Sequence, residues 1–430
     1  MNYNKSGWLF QSGKIRNITQ EIARSDIYDL LKLADEDNKW AESVRKGTLR
    51  RDRIMQGKET GKIDPLLDYF QVMNTGGTIV HYPFGRIITF ASRRHIFRGE
   101  NKRFKYSEST LSRKVRGKDP KEAELLHAVS NMRVAQFSKV IWRLNVVPYW
   151  EANISEVNYK ALAQHYGFDT YLLDLTNDFK IALFFATCKY VDGKYYPLEK
   201  RDIEHNDESR YGVIFHSADW AVDFLNGTNV IDWNNKHYEP DRKRTYVIDQ
   251  GCLDGYAFQI GLQPFYRCHM QSGFVFPMKT VAPLQDDMRF EKLVFRQSPE
   301  LSEEVFHMMH DGKDVFPDEG ISDGMGVLDE IKNGKVFSED DLKWAYDLDE
   351  CNKDIFPTID NLKDELLKQG FEIQKEEVPY HFKRAQLRRI NKRYDGRDLL
   401  APVGGAFHQL PEDKAFRKQR YEEIYGKRDT

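Results

Sequence analysis

The chain has 430 residues, of which 40% are hydrophobic and 13% aromatic. This composition is too apolar for a disordered protein, and the length is enough for about two to three domains with a large core. The formal charge of −2 at pH 7 argues against a uniformly basic nucleic-acid binder. Residues 1–20 have no basic segment followed by an apolar one, and no apolar run approaches the roughly 18 residues of a membrane span. We therefore expect a cytoplasmic protein without membrane contact.

Charge is unevenly distributed along the chain. Residues 93–118 hold ten Lys and Arg against two Glu, and residues 383–397 hold seven against one Asp. Residues 300–350 reverse this, with sixteen acids against four Lys, and such a span most simply solvates itself or packs against the basic stretches. Because clustered cations attract polyanions at long range, the two basic stretches predict an anionic partner, with a nucleic-acid acceptor as the candidate.

The N-terminal part, residues 1–85, is predicted to be mainly helical. Helical spacing of apolar residues covers 22–34 and 38–44, and the glycines between 47 and 61 indicate loops. From residue 78 the pattern becomes β-like, with strands at 78–82 and from 86 to the tripeptide Phe97-Arg98-Gly99. These strands open a predicted α+β core over residues 86–298.

Within the core, residues 120–143 have the apolar stripe of an amphipathic helix that begins at Pro120. A short helix ending at Gly167, a strand over 171–175 and a buried helix over 179–186 follow. Further strands are expected at 212–216, 244–248, 257–260, 274–278 and 290–296. Their Asp-, Asn- and Gly-rich loops favour antiparallel pairing, and residues 299–430 are predicted to form a helical, first acidic and then basic, C-terminal region.

The segment 161–186 contains most of the side chains that could take part in binding or catalysis. Polar residues are wedged there between two apolar segments, where they cost free energy unless each is paired. They are Gln164, His165, Tyr166, Asp169, Thr170, Asp174 and Thr176. Thr176 and its neighbours precede the buried helix, so a helix N-terminus with free amide donors is expected to point at this cluster.

The chain resembles the FRG-domain family of bacteria and mobile elements over roughly residues 90–330. The family tripeptide stands at Phe97-Arg98-Gly99, and Leu162–Gly167 reads Leu-Ala-Gln-His-Tyr-Gly as in the family. Other matches are Arg113, Glu124, Thr170–Thr176, Ala182–Ala186, Arg267, Gln271, Gly273 and Phe316–Asp318. The family's Arg and Trp within its Thr-Arg-Leu-Leu-Asp-Trp-Thr motif are Tyr171 and Leu175 here.

The same residues resemble, more weakly, the Arg-Ser-Glu class of ADP-ribosyltransferases. That resemblance implies a mainly antiparallel split β-sheet around a buried central helix, and NAD as the substrate. It implies that Arg98 and Gly99 hold NAD phosphates, that Asp174 and Thr176 shape the nicotinamide-ribose site, and that Gln164, His165 and Tyr166 line it. The third element of that class ends in Glu, whereas Gln271-Ser-Gly273 has no acid, so Asp174 and Glu291 are the candidate carboxylates.

Structural roles compete with each of these assignments. Arg98 could pair with Glu124, the Gln164–His165 cluster could be a satisfied buried network, and Asp174 and Thr176 could cap the helix. Gln271 and Gly273 could mark a bulge. We therefore hypothesise an NAD-dependent ADP-ribosyltransferase-like enzyme, with a non-enzymatic nucleotide- or partner-binding module as the alternative.

The setting that the resemblance implies is a bacterial toxin or phage-defence effector, restrained by an inhibitory protein partner. No metal is predicted, because the carboxylates show no recognisable ligand spacing. The cysteines at 188, 252, 268 and 351 lack Cys-x-x-Cys spacing, which fits a reducing compartment and argues against a zinc site.

Overall fold

The computed structural model describes residues 19–36, 69–72, 77–82, 85–90, 95–148, 157–218, 257–260, 263–347, 351–376 and 380–394. The predicted helix at 38–44, the glycine loops between 47 and 61, the predicted strand at 244–248 and the basic residues after 394 lie outside these ranges. The helix predicted at 22–34 is found at residues 24–36.

Fourteen strands lie in the described part of the chain, numbered here in chain order. They are β1 (Thr19–Glu21), β2 (Tyr69–Val72), β3 (Gly77–Tyr82), β4 (Gly85–Phe90), β5 (His95–Glu100), β6 (Leu172–Thr176), β7 (Cys188–Val191), β8 (Lys194–Pro197), β9 (Tyr211–Ala218), β10 (Phe258–Gln259), β11 (Gly273–Pro277), β12 (Glu291–Arg296), β13 (Val336–Ser338) and β14 (Glu372–Gln374).

The helices used below are numbered in the same way. They are α1 (24–36), α2 (Thr110–Val115), α3 (Pro120–Ile141), α4 (Tyr159–His165), α5 (Phe179–Thr187), α6 (Lys200–Ile203), α7 (Arg267–Met270), α8 (Pro299–Met308), α9 (Met325–Asn333), α10 (Glu339–Asp347), α11 (Ile359–Lys368) and α12 (Arg384–Tyr394).

Seven strands form the central sheet, in the order β1-β12-β9-β5-β6-β11-β10. All neighbours pair antiparallel except β1, which runs parallel to β12. The mixed α/β architecture with a mainly antiparallel sheet is therefore confirmed. Between β5 and β6 only Phe97 and Thr176 are paired, whereas β5 and β9 are paired over six residues, so the sheet opens between β5 and β6.

Two helices fix the segments around this opening. Helix α3 starts as predicted, with Pro120 in its first turn and the Asp119 side chain accepting from the backbone amides of Lys121 and Glu122. Helix α5 is buried along almost its whole length, as its run of apolar residues indicated. Gly167 ends the α4 segment with φ of +82°, which a residue without a Cβ adopts at low cost.

Three local features were not predicted from the sequence. Strands β7 and β8 form a hairpin whose turn, Asp192-Gly193, has positive φ at both residues, and Asp-Gly is a strong signal for such a turn. Strands β13 and β14 pair in parallel although each has only three residues. Helix α12 lies within the C-terminal region that was predicted to be helical, but its bounds were not predicted.

The terminal regions pack onto the central part of the chain. Strand β1 belongs to the central sheet, and one hydrophobic cluster joins α3 and α4 to Leu328 and Ile331 of α9 and to Ile390 of α12. A second cluster joins α3 to Leu342 of α10 and Leu366 of α11. The domain limits at 85 and 298 stay predictions. No helix in the described ranges is long and apolar enough to cross a membrane.

We expect Gly99→Ala to destabilise the protein strongly, because a Cβ built on Gly99 lies 1.7 Å from the backbone oxygen of Ala182 in α5. Backbone cannot yield as a flexible side chain does, so the free energy of unfolding should fall by about 3 kcal/mol or more. Urea denaturation measures this change.

Gly326→Ala is the matched control. A Cβ at Gly326, in helix α9, meets nothing within 4 Å. There the substitution should raise the unfolding free energy by up to about 1 kcal/mol, because alanine favours a helix. Equal unfolding free energies for the two variants would rule out the close strand–helix contact.

Candidate functional site

The opening between β5 and β6 is where the predicted site residues meet. The Arg98 guanidinium donates through Nη1 to the backbone oxygen of Asp174 at 2.8 Å. The Phe97–Thr176 pair sits beside this contact and is the one registered pair of the two strands. The strand-end arginine and the Asp174–Thr176 segment therefore lie side by side.

Arg98 approaches Asp174 from the other face of the sheet. Successive side chains of a strand alternate between faces, so Arg98 points away from the face that Phe97, Thr176 and Asp174 share. Its Nε donates to buried Glu100 at 2.9 Å, and Ser107 donates to the same carboxylate oxygen at 2.6 Å. The guanidinium is thus oriented by two acceptors, and its contact with the site residues runs through the backbone of Asp174. The predicted ion pair of Arg98 with Glu124 is not what the structure shows.

A second arginine lies close to Arg98. Burial of its guanidinium, and then repulsion from Arg98, lower the pKa of Arg113, although the residue as a whole remains exposed. Arg113 donates to the backbone oxygen of Glu108, whose carboxylate also pairs with Arg116. Glu124 instead accepts from the backbone amide of Asn352 and lies beside His127. Three guanidinium groups therefore face two carboxylates, those of Glu100 and Glu108, which leaves net positive charge beside the opening.

Asp174 carries the accessible carboxylate of the site. Its side chain is 37% exposed, and its Oδ2 accepts from Gln164 at 3.2 Å. Thr170 donates to the side-chain oxygen of Gln164 at 2.6 Å, which fixes the amide with its NH₂ toward Asp174. The chain Thr170–Gln164–Asp174 therefore holds the carboxylate in one orientation.

The other carboxylate oxygen faces His165. Asp174 Oδ1 and His165 Nε2 are 3.9 Å apart, and each is a buried atom without a hydrogen-bond partner among the described residues. Burial lowers the pKa of His165, against the opposing effect of Asp174, so the imidazole is neutral at pH 7. Two orphaned polar atoms facing one another are costly unless a further group satisfies them, which is typical of a binding site.

Thr176 and Gln271 have structural bonds. The Thr176 hydroxyl donates to the backbone oxygen of Gln271 at 2.8 Å and accepts from the amide of Asp178 at 3.1 Å. Asp178 itself is the N-cap of α5. The cap of this helix is therefore Asp178, whose side chain accepts from the amide of Lys180, and not Thr176 or Asp174 as the capping alternative had it. Gln271 also donates to the backbone oxygen of Val315.

Buried Glu319, which the sequence analysis did not single out, contacts the residues next to this cluster. Glu319 accepts from the Tyr166 hydroxyl at 2.5 Å and from the backbone amide of Tyr266 at 2.7 Å. Arg267 lies between the rings of Tyr166 and Phe316, with its guanidinium carbon 4.6 and 3.7 Å from their centroids, and donates to the backbone oxygen of His165. The Phe316–Asp318 turn next to Glu319 was the one available signal.

Glu291 lies in a different cluster. It pairs across the sheet with His216, His216 pairs with Phe97, and Phe97 with Thr176, so about three strand spacings of roughly 4.8 Å separate Glu291 from Thr176. His216 Nδ1 is 3.8 Å from the carboxylate, and its Nε2 is 2.9 Å from His95. The structure does not bring Glu291 to Asp174, which leaves Asp174 as the carboxylate at the opening.

Burial controls the charge of this second cluster. It raises the pKa of Glu291 to about 7 and lowers the pKa of His216 to about 3. Both groups are therefore largely neutral in mildly acidic solution. No group of three or more His, Cys, Asp or Glu in the described ranges could hold a metal ion, and Cys188, Cys268 and Cys351 are buried free thiols.

Comparison with known proteins identifies one domain. Residues 93–194 match the family model of the FRG domain. The match contains β5 with Phe97-Arg98-Gly99, helices α3 to α5 and the Asp174–Thr176 segment. The predicted resemblance to this family is therefore confirmed for these residues. No curated protein and no solved structure matches the chain.

We expect Glu291→Gln to change how stability depends on pH. A carboxyl group whose pKa is higher in the folded chain stabilises it fully below its ordinary value of 4.5 and loses that contribution as pH rises through about 7. Glutamine has no such loss. Because one pKa unit corresponds to about 1.4 kcal/mol, the unfolding free energy of the variant minus that of the wild type should rise by about 3 kcal/mol from pH 4.5 to 8.

Chemical denaturation at several pH values measures this difference. Glu303, whose side chain is 68% exposed, supplies the control: solvent screens its carboxylate, so the difference for Glu303→Gln should change far less over the same range. If the difference in unfolding free energy between Glu291→Gln and the wild type also does not change with pH, the Glu291 carboxyl group is solvated and the prediction is wrong.

Proposed function

We propose that the FRG domain at residues 93–194, together with the strands that complete its sheet, is an NAD-dependent ADP-ribosyltransferase-like enzyme. The observation that carries the proposal is the contact of Arg98 with the backbone of Asp174 at the opening between β5 and β6. It brings a phosphate-binding type of side chain to the backbone of the residue that carries the accessible carboxylate, from the opposite face of the sheet. The open, mainly antiparallel sheet around buried α5 supports the same reading.

The phosphate side of the proposal depends on charge. Arg98, Arg113 and Arg116 outnumber Glu100 and Glu108, so an anion on this side of the opening is attracted. A guanidinium group matches a diphosphate well because its planar fork donates two parallel hydrogen bonds. In this proposal the diphosphate of NAD contacts Arg98 and Arg113, and the dinucleotide crosses the opening toward Asp174.

The chemical side depends on Asp174. The bond between the nicotinamide nitrogen and ribose C1′ breaks, nicotinamide leaves with the bonding electron pair, and positive charge develops on the ribose. A fixed carboxylate stabilises that charge, and the acceptor then bonds to C1′ and releases its proton. Gln164 and Thr170 are positioning residues, because their hydrogen bonds hold the Asp174 carboxylate. His165 lies against its inner oxygen in the neutral form.

One feature favours a second candidate, a nucleotide- or partner-binding module without chemistry. Arg98 already makes two hydrogen bonds inside the protein, and Thr176 is occupied by Gln271 and Asp178. Such a site binds a ligand without necessarily activating it. On the family resemblance alone, we extend either function to a bacterial toxin or phage-defence effector that an inhibitory protein partner restrains.

We expect the wild-type protein to release nicotinamide from NAD and to transfer label from adenine-labelled NAD to a component of a bacterial extract. Asp174→Asn keeps the size of the side chain but removes its charge, so both signals should fall about 100-fold or more. Arg98→Lys keeps the charge but loses the fork, which should weaken NAD binding about tenfold or more. Nicotinamide release by chromatography and label transfer on gels measure the two signals, and the dependence of the release rate on NAD concentration measures the loss of binding.

Asp207→Asn is the control, because Asp207 is an exposed aspartate of the 3₁₀-helix region before β9. It should behave as the wild type, and melting temperatures show whether each variant is folded. If Asp174→Asn keeps full activity, the assignment of the carboxylate is wrong. If NAD raises the melting temperature of the wild type without nicotinamide release, the binding module is the function.

A further inference from the structure

We propose that the outer face of helix α12 binds the phosphate backbone of nucleic acid. This surface, called here the α12 basic face, consists of Arg384, Arg388, Arg389 and Lys392 of the helix and of Lys383, which immediately precedes it. The inference deepens the proposed function by naming the class of acceptor, and it depends on that function only for the chemistry that follows binding. The binding itself is tested without NAD.

The fold determines which side of α12 faces outward. Ile390 and Tyr394 are buried and Leu387 packs against the same hydrophobic cluster, so these residues face the protein. Arg393 is tied down as well, with Nη1 on the carboxylate of Asp318 and on the backbone oxygen of Glu319. The five residues of the basic face are all exposed.

These cations are not neutralised by the part of the chain that the structure describes. No carboxylate there lies within 4.0 Å of the charged atoms of Lys383, Arg384, Arg388, Arg389 or Lys392, in contrast to Arg393. Arg384, Arg388 and Lys392 follow one another at four-residue spacing, which puts them about 6 Å apart along the helix. Like charges at this spacing repel, and a polyanion removes that repulsion.

The first basic stretch behaves differently, although both appeared equivalent in the sequence. Within residues 93–118, carboxylates pair with Arg98, Lys114, Arg116 and Lys118. Arg103, Lys102 and Lys105 lie over aromatic rings. Four cations of this stretch are thus paired with carboxylates, whereas the five of the α12 basic face have no such pair among the described residues, so the α12 basic face is the stronger candidate for a polyanion.

The composition of the face favours nucleic acid over other anionic partners. Amphipathic helices that bind membranes insert large apolar side chains, but on α12 the large apolar side chains pack into the protein. Protein interfaces are centred on aromatic or aliphatic anchors, and the exposed residues of α12 include only Ala385 besides the cations. A surface of guanidinium and ammonium groups without anchors fits a chain of phosphates.

The α12 basic face is also connected to the proposed reaction site. Arg393 contacts the backbone of Glu319, and the Glu319 carboxylate accepts from Tyr166, which follows His165 in the chain. Tyr394 packs near Phe265 and accepts from the amide of Ile321. The inner side of α12, opposite the α12 basic face, therefore packs on residues that support His165.

The test measures binding of a short, mixed-sequence, fluorescein-labelled single-stranded RNA or DNA to the full chain by anisotropy, between about 50 and 200 mM salt. The variant combines Arg384→Gln, Arg388→Gln and Arg389→Gln. We expect its affinity to fall about tenfold or more, and the slope of log affinity against log salt to decrease by about 2, since each phosphate contact on a single strand contributes roughly 0.7.

The control removes three ion-paired lysines, by Lys118→Gln, Lys121→Gln and Lys363→Gln. This control variant loses the same net charge as the α12 variant. Because its three lysines are already paired with carboxylates, it should keep most of the affinity for nucleic acid and most of the salt slope. If both triple variants lose the same affinity for nucleic acid, net charge alone explains the loss and the proposal is wrong. Absence of salt-dependent binding by the wild type would overturn it as well.

Two further arms identify the partner class. Two other polyanions are tested, polyglutamate and vesicles rich in phosphatidylserine. Each should bind the protein more weakly than the nucleic acid does, and the α12 variant should reduce that binding less. If either binds as tightly with the same loss, the nucleic-acid assignment is wrong. Asp174→Asn should bind RNA normally, so loss of NAD chemistry with intact RNA binding separates failure of the proposed function from failure of this inference.

Discussion

The close contact of strand β5 with helix α5 determines the geometry on which the site depends. Gly99 lies so near the backbone of Ala182 that no side chain fits between them. The helix that follows Thr176 is thereby pressed onto the strand that carries Arg98, while β6 itself pairs with β5 only at Phe97 and Thr176. A tight helix–strand contact next to a loose strand–strand contact produces an opening with fixed walls.

The polar groups at this opening are held by contacts from distant parts of the sequence. The Asp174 carboxylate is oriented by Gln164, and Arg98 is oriented by Glu100 and by the Asp174 backbone. Buried polar groups are tolerated when they are paired, and most atoms of this cluster are. Two buried atoms without a hydrogen-bond partner, on His165 and Asp174, face each other, which places an unsatisfied point of the cluster at the accessible carboxylate.

Local patterns were sufficient to predict much of this structure. The apolar stripe and Pro120 defined α3, the polar residues before a uniformly apolar run defined α5, and Gly167 marked a helix end. In each case the signal lies within one turn or one element. The grouping of Arg98 with Asp174 was predicted from a motif resemblance, because residues 76 positions apart share no local signal.

What could not be predicted depends on long-range packing. Whether a strand arginine lies on the same face as a neighbouring aspartate depends on register, which the spacing of residues within one strand does not determine. Glu291 had a suitable residue type, but strand order puts two strands between its own and β6. Likewise, which cations of the two basic stretches are paired is set by the fold: Lys114 reaches Asp169 and Arg393 reaches Asp318, across 55 and 75 residues of sequence.

The matched FRG region is smaller than the structural unit that forms the site. Of the central sheet it contains only β5 and β6, and these are joined by a single registered pair. Their extensive partners, β9 and β11, come from residues 211–218 and 273–277, and Gln271, Arg267 and Glu319 reach the cluster from beyond the match as well. Since a loosely joined pair of strands cannot form a stable sheet alone, β5 and β6 depend on β9 and β11 for most of their backbone pairing, and the site therefore needs residues beyond the matched region.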